Sequence, residues 1–175
     1  MAVYEFEGMC PIIGNDTFVH PLAAVIGDVQ LGERCFIGAG AVIRGDSGPI
    51  IIGSGTSIQD NCSIHSDNNK TAIIEGNSLI GHGAIIHGPC LIQQNVTIGM
   101  GSIVSIGCEI QNDSLLAAGS VLPPGHTIPQ GKIALGNPAR VVRDLDESNR
   151  QFNRRGVKLY QELAMRCNNS LKLVD

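Results

Sequence analysis

Ten aliphatic residues stand six apart from Ile74 to Ile128: Ile74, Ile80, Ile86, Ile92, Ile98, Val104, Ile110, Leu116, Leu122 and Ile128. About a quarter of the chain is Ile, Leu or Val, so ten such hits in a row arise by chance on the order of once in a million. The same ladder runs earlier through Val25, Leu31, Ile37 and Ile43, and through Ile52, Ile58 and Ile64. Two insertions separate the runs. One lies at "GDSGPI", between Ile43 and Ile52; the other at "SDNNK", between Ile64 and Ile74. A period of six is neither the 3.6 of a helix nor the bare 2 of a strand. It calls for short strands meeting at corners, with one aliphatic side chain per side pointing inward. Glycine often follows the aliphatic (Gly32, Gly38, Gly53, Gly81, Gly99), as a tight corner would favour. Cys35, Cys62, Cys90 and Cys108 each fall four residues after it and read as small buried hydrophobes.

This pattern resembles the hexapeptide-repeat family, over about residues 12–135. The resemblance implies an all-β left-handed parallel β-helix, a triangular prism with three hexapeptides per coil. Its handedness is an exception to the right-handed crossover rule. "ALGNPAR" (134–140) is similar to the segment through which such chains leave the prism, and residues 146–170 read as a helix. Two units are therefore expected: the prism over 1–140 and a C-terminal helix over 141–175 packing along it. Phe152, Tyr160, Leu163, Ala164 and Cys167 can share the packing face, and Gly156 weakens the first half.

With only 3% aromatic residues, the core must be aliphatic. A net charge of −4 and no basic run exclude electrostatic attraction to nucleic acid or anionic membrane. The first residues, "MAVYEFEGMC", do not read as a signal peptide, and no apolar run reaches transmembrane length. Six cysteines without a C-x-x-C pair fit a reduced, cytoplasmic setting.

Counted on the prism, Arg44, His65, His87 and Ser105 stack on one edge, coils about 4.8 Å apart. His65 and His87 can then chelate one ion. His82 belongs to another column, with Asp60 and Met100. Five extended residues separate it from His87, up to about 16 Å, too far for a shared metal within one chain. The three histidines meet only if His82 of one prism faces the His65/His87 pair of the next around a threefold axis, a closed head-to-tail arrangement.

"RGD" (44–46), "IQDN" (58–61), His65 and "GHGAIIHG" (81–88) resemble the γ-class carbonic anhydrases and their homologues, and "LYQELAMRC" is similar to the phenylacetate- and carnitine-operon branch. What this resemblance implies is a homotrimer with His65, His82 and His87 binding Zn2+ or another divalent transition metal. Gln59 would hydrogen-bond the metal-bound water, Asp60 would support the site, Arg44 and Asp46 would form interface ion pairs, and Tyr160 matches a family tyrosine near the site. The implied reaction is reversible hydration of CO2 to bicarbonate by metal-bound hydroxide. Three neutral imidazoles leave a zinc ion its full charge and an open fourth position. The insertions lack the glutamates that export protons in the archetypal enzymes, and Ser57 stands where Asn is common.

Plainer readings stand beside these. Gln59 can cap a corner, Asp60, Asp46 and Arg44 can be struts, and Tyr160 can serve packing alone. Two further functions fit the fold: an acyltransferase, or its variant a CoA-thioester hydrolase, and a non-catalytic trimeric scaffold.

Overall fold

The computed structural model describes residues 2–174 and shows a left-handed parallel β-helix of about seven turns closed by one helix. The strands are short because each side of the triangle holds only one hexapeptide. Partners stand eighteen positions apart, as in Leu79 with Thr97 and Ile85 with Ile103. One sheet has 12 strands and the other 8. The larger covers more than one side, because the strand Val42–Ile52 pairs first with Ser63–Ser66 and then with Ala72–Ile74. "GDSGPI" is thus not a loop of its own but part of a continuous, bulged strand, with the register shifting opposite Gly27 and Val29.

The ladder is the core. Ile37, Ile43, Ile52, Ile58, Ile64, Ile74, Ile80, Ile86, Ile92, Ile98 and Ile110 are all under 2% exposed. The four repeat cysteines are buried with them as free thiols. Burial pushes Cys62 up to about 11 and Cys90 up to about 12, so both stay protonated and unreactive.

The glycines after the inward aliphatics serve a different purpose from the one expected of a tight corner. Their φ angles are not left-handed. They are small because the next coil lies against them: a Cβ on Gly99 would meet the Ala118 nitrogen at 2.3 Å, and one on Gly81 the Met100 nitrogen at 2.7 Å. The left-handed corner positions come later in each repeat, filled by Gly83 and Gly101 or by Asn61, Asn77, Asn95 and Asp113.

The last strand, Ala139–Asp144, turns back antiparallel on Lys132–Gly136. Asp146 then caps the helix Glu147–Ser170 by accepting from the Asn149 N–H. The helix lies on the smaller sheet. Tyr160, Leu163, Ala164 and Cys167 pack on Phe18 and Phe36 as expected, but Phe152 does not join them: it is 66% exposed. The buried positions of the first half are Asn153 and Val157, on the stripe that continues to Tyr160 and Ala164, while Phe152 lies about 100° round the helix from Asn153. Gly156 leaves the helix unbroken and lets it close on the prism, since a Cβ there would meet Leu79 Cδ1 at 2.6 Å. No helix among the described residues is long and apolar enough to cross a membrane.

Candidate functional site

His65 lies in the strand Ser63–Ser66 and His87 in Ile85–Gly88, directly paired in register. Because Ile64 and Ile86 point inward, alternation turns both imidazoles outward. Their ring centroids are 5.7 Å apart, tilted by 57°. Arg44 is one coil earlier in the same column.

Two carboxylates hold this pair. Asp46 Oδ1 is 2.8 Å from His65 Nε2, and its other oxygen pairs with Arg44. Partial desolvation raises the Asp46 pKa, but the hydrogen bonds and charges of His65 and Arg44 outweigh it and leave the carboxyl below its ordinary value. Within one chain, then, Arg44 and Asp46 pair with each other and brace His65. On the other side, Asp67 Oδ1 approaches His87 Nε2 at 3.6 Å. Asp67 was not among the residues singled out from sequence. Its signal was its place in the second insertion, two residues after His65. The insertions pack on each other through Asn69 N–H donating to Ser47 O at 2.9 Å. Gly48 permits this, because a Cβ there would meet the Asp67 and Lys70 carbonyls at 2.3 and 2.2 Å.

His82 sits apart, on the corner after the strand Leu79–Ile80. Its backbone N–H donates to Gln59 Oε1 at 3.2 Å, and its Nδ1 is 3.2 Å from Asp60 Oδ2. Asp60 Oδ1 accepts from the Ala39 N–H at 2.9 Å, so the carboxylate ties three successive coils together. Among the described residues, no three potential ligands within the single chain come together for a metal ion. The chain assembles His65 with His87 and keeps His82 on a different corner. What it offers a metal is two imidazoles, each backed by a carboxylate as ligating histidines commonly are. The donor chemistry fits a divalent transition metal, with two histidines brought together in each chain.

Tyr160 packs its ring on Phe36, centroids 5.2 Å apart. Burial and the nearby negative charge of Asp60 raise its phenol above the ordinary value. Beneath the helix, the Ser57 hydroxyl is fully buried and, among the described residues, the one such side-chain oxygen or nitrogen without a partner. Gln59, His82 and Tyr160 line one end of a groove of about 740 Å³ between helix and prism.

Coils, ladder and paired histidines together define a hexapeptide-repeat β-helix protein with a histidine-bearing edge. The bacterial transferase hexapeptide family (six repeats) matches residues 10–45. The carnitine operon protein CaiE of Salmonella newport (strain SL254) is 39% identical over 171 residues, 98% of this chain and 86% of CaiE. Two solved structures superimpose closely. One is a candidate acetyltransferase, the product of the BC4754 gene of Bacillus cereus: TM-score 0.92, 34% identity, 94% of this chain and 95% of that one. The other is a hexapeptide transferase family protein from Anaplasma phagocytophilum: TM-score 0.89, 33% identity, 93% and 96%. The chain belongs to the hexapeptide-repeat family, in the γ-class carbonic anhydrase-like branch that includes the carnitine operon proteins.

Proposed function

We propose that the protein works as a homotrimer in which His65 and His87 of one copy and His82 of the next hold a divalent metal, zinc first, and that it hydrates CO2 to bicarbonate. The observation that carries this reading is the in-register His65/His87 pair together with the separation of His82. Two outward imidazoles beside Asp46 and Asp67 are two of the three protein ligands, and a threefold arrangement supplies the third. Bound there, the metal would supply a water acidic enough to act as nucleophile near neutral pH.

The chain's own groups have distinct parts. The Gln59 carbonyl is committed to the His82 N–H, so its amide nitrogen is the end left to donate to a substrate oxygen. Asp60 orients His82, while Asp46 and Asp67 orient the pair. The carboxylates of both insertions are engaged with histidines, so the proton released on hydration goes to buffer.

A second reading is acyl chemistry, hydrolysis or transfer at a CoA thioester. It is favoured by the apolar groove that ends at Gln59 and His82, and by the transferase names of the two structural relatives. Elemental analysis and stopped-flow CO2 hydration test the first reading. About one ion per chain with buffer-dependent hydration supports it; protein without metal, and no hydration after zinc is supplied, overturns it.

A further inference from the structure

The C-terminal helix has two flanks. One borders the groove at His82. The other faces the corner that carries Asn77 and Asn95, which stack on successive coils because Leu79 pairs with Thr97. This is the third corner of the triangle. The strands Ser63–Ser66 and Ile85–Gly88 run from the His82 corner to the His65/His87 corner, and the Asn77/Asn95 corner lies opposite that side. It therefore points away from the neighbouring copy in the proposed trimer.

Between this corner and the helix lies a cavity of about 310 Å³, at the small end of the roughly 300–1,000 Å³ typical of ligand sites. Arg154 and Lys158 line it from the helix, Asn77 and Asn95 from the prism, and Asn153 and Gln161 complete its polar wall. No carboxylate lines it among the described residues. That charge balance runs against a chain of net charge −4, and its source is the helix, which carries five Lys or Arg against two Glu. Arg154 and Lys158 are one turn apart, about 6 Å along the helix axis. The two asparagines stand one coil apart, about 4.8 Å. Two short ladders, one cationic and one of amides, thus face each other.

The hydrogen bonds already made decide what each group has left to offer. Asn77 Oδ1 accepts from Gln161 Nε2 at 3.5 Å, which leaves the Asn77 amide nitrogen as a donor. Asn95 Nδ2 donates to Asp113 Oδ1 at 3.2 Å, which leaves Asn95 Oδ1 as an acceptor. Arg154 and Lys158 make exposed ion pairs, to Glu147 at 3.3 Å and to Glu162 at 3.8 Å. Such pairs contribute little and give way to an anion that engages both cations at once. The cavity therefore offers cations and an amide donor to a phosphoryl group, and a carbonyl acceptor to a hydroxyl beside it.

We propose that this cavity binds a phosphate monoester of a small polyhydroxylated molecule, its phosphoryl group between Arg154, Lys158 and Asn77 and a hydroxyl on Asn95 Oδ1. The site is independent of the metal and CO2 reading, because none of its walls comes from the histidine-bearing corners.

Calorimetric titration of the assembled full-length protein at low salt, with glucose 6-phosphate, inorganic phosphate and glucose as probes, tests this. Glucose 6-phosphate should bind several-fold more tightly than phosphate, and glucose about tenfold more weakly than the ester or worse. Raising the salt from about 50 to 300 mM should weaken the ester several-fold, since both cations are exposed. Arg154→Gln and Lys158→Gln should each weaken it about three- to tenfold. Asn95→Gly keeps the left-handed corner that Asn95 occupies at φ 58° and removes the acceptor, so it should bring the ester down to the level of phosphate. Arg166→Gln makes the same charge change on the same helix outside the cavity and should bind as wild type does. Should Asn95→Gly fail to fold, the comparison of Arg154→Gln with Arg166→Gln decides alone. Equal weakening by those two variants would reduce the effect to the charge of the helix and overturns the site. So does the absence of binding at millimolar ester, or phosphate binding as tightly as glucose 6-phosphate.

Discussion

His65 and His87 face each other across adjacent coils, ring centroids 5.7 Å apart, although twenty-two residues separate them. The eighteen-residue coil and the four-residue insertion after His65 account for that spacing. The pair's register is therefore a product of the ladder.

His65→Ala, His82→Ala and His87→Ala are each expected to lose most bound metal, since one of three ligands is gone, while circular dichroism stays that of the folded prism. Full metal occupancy in all three variants would show that the ligands lie elsewhere.

Mixing His65→Ala with His82→Ala after dissociation separates a shared site from a single-chain one. Every mixed trimer contains one interface where an intact His65/His87 pair meets an intact His82. Metal binding should therefore return to at most about a third of wild type. Demonstrated mixed trimers with no recovery would refute the shared site.

Asn153 is buried and donates from Nδ2 to Thr97 Oγ1 at 2.9 Å, tying the helix to the prism. Asn153→Ala should destabilise helix docking by about 1–3 kcal/mol, because the bond and the packing of a buried side chain are lost. Chemical denaturation followed by hydrogen exchange along the helix measures this. Unchanged exchange would mean that the aromatic cluster alone holds the helix.

Gly99→Ala should cost about 1–3 kcal/mol or more, because its Cβ meets backbone atoms of Ala118 that cannot swing away. Thermal melting checks it. A neutral result would show that neighbouring coils can separate locally.

Asp146 caps the helix, and hydrogen bonds from the Ser148 hydroxyl and the Asn149 N–H hold its carboxyl below the ordinary carboxylate value. A folded-state pKa lowered in this way gives stability that is present above the unfolded value of about 4 and is lost as pH falls through the folded one. Asp146→Ala should melt below wild type at neutral pH, with the gap narrowing in acid. A gap that stays constant down to pH 2 would remove the charge from the explanation.

The ladder was legible because a six-residue aliphatic period is a local property. It sets coil length, inward side chains and the vertical stacking of His65 on His87, whatever surrounds them. The separation of His82 followed from the same counting, since a residue five positions along an extended chain cannot fold back. The helix was legible too, with Tyr160, Leu163, Ala164 and Cys167 on its packing face, but the first half of the buried stripe was not: Phe152 and Asn153 are neighbours in sequence, and only the position of the prism decides which one is covered. Asp67 reaches His87 because one insertion folds over the other at Gly48, a contact between loops that carries no periodic signal. The groove that ends at Gln59 and His82 belongs to neither element alone. It exists only where tertiary packing lays the helix against the prism, an approach that Gly156 permits at Leu79.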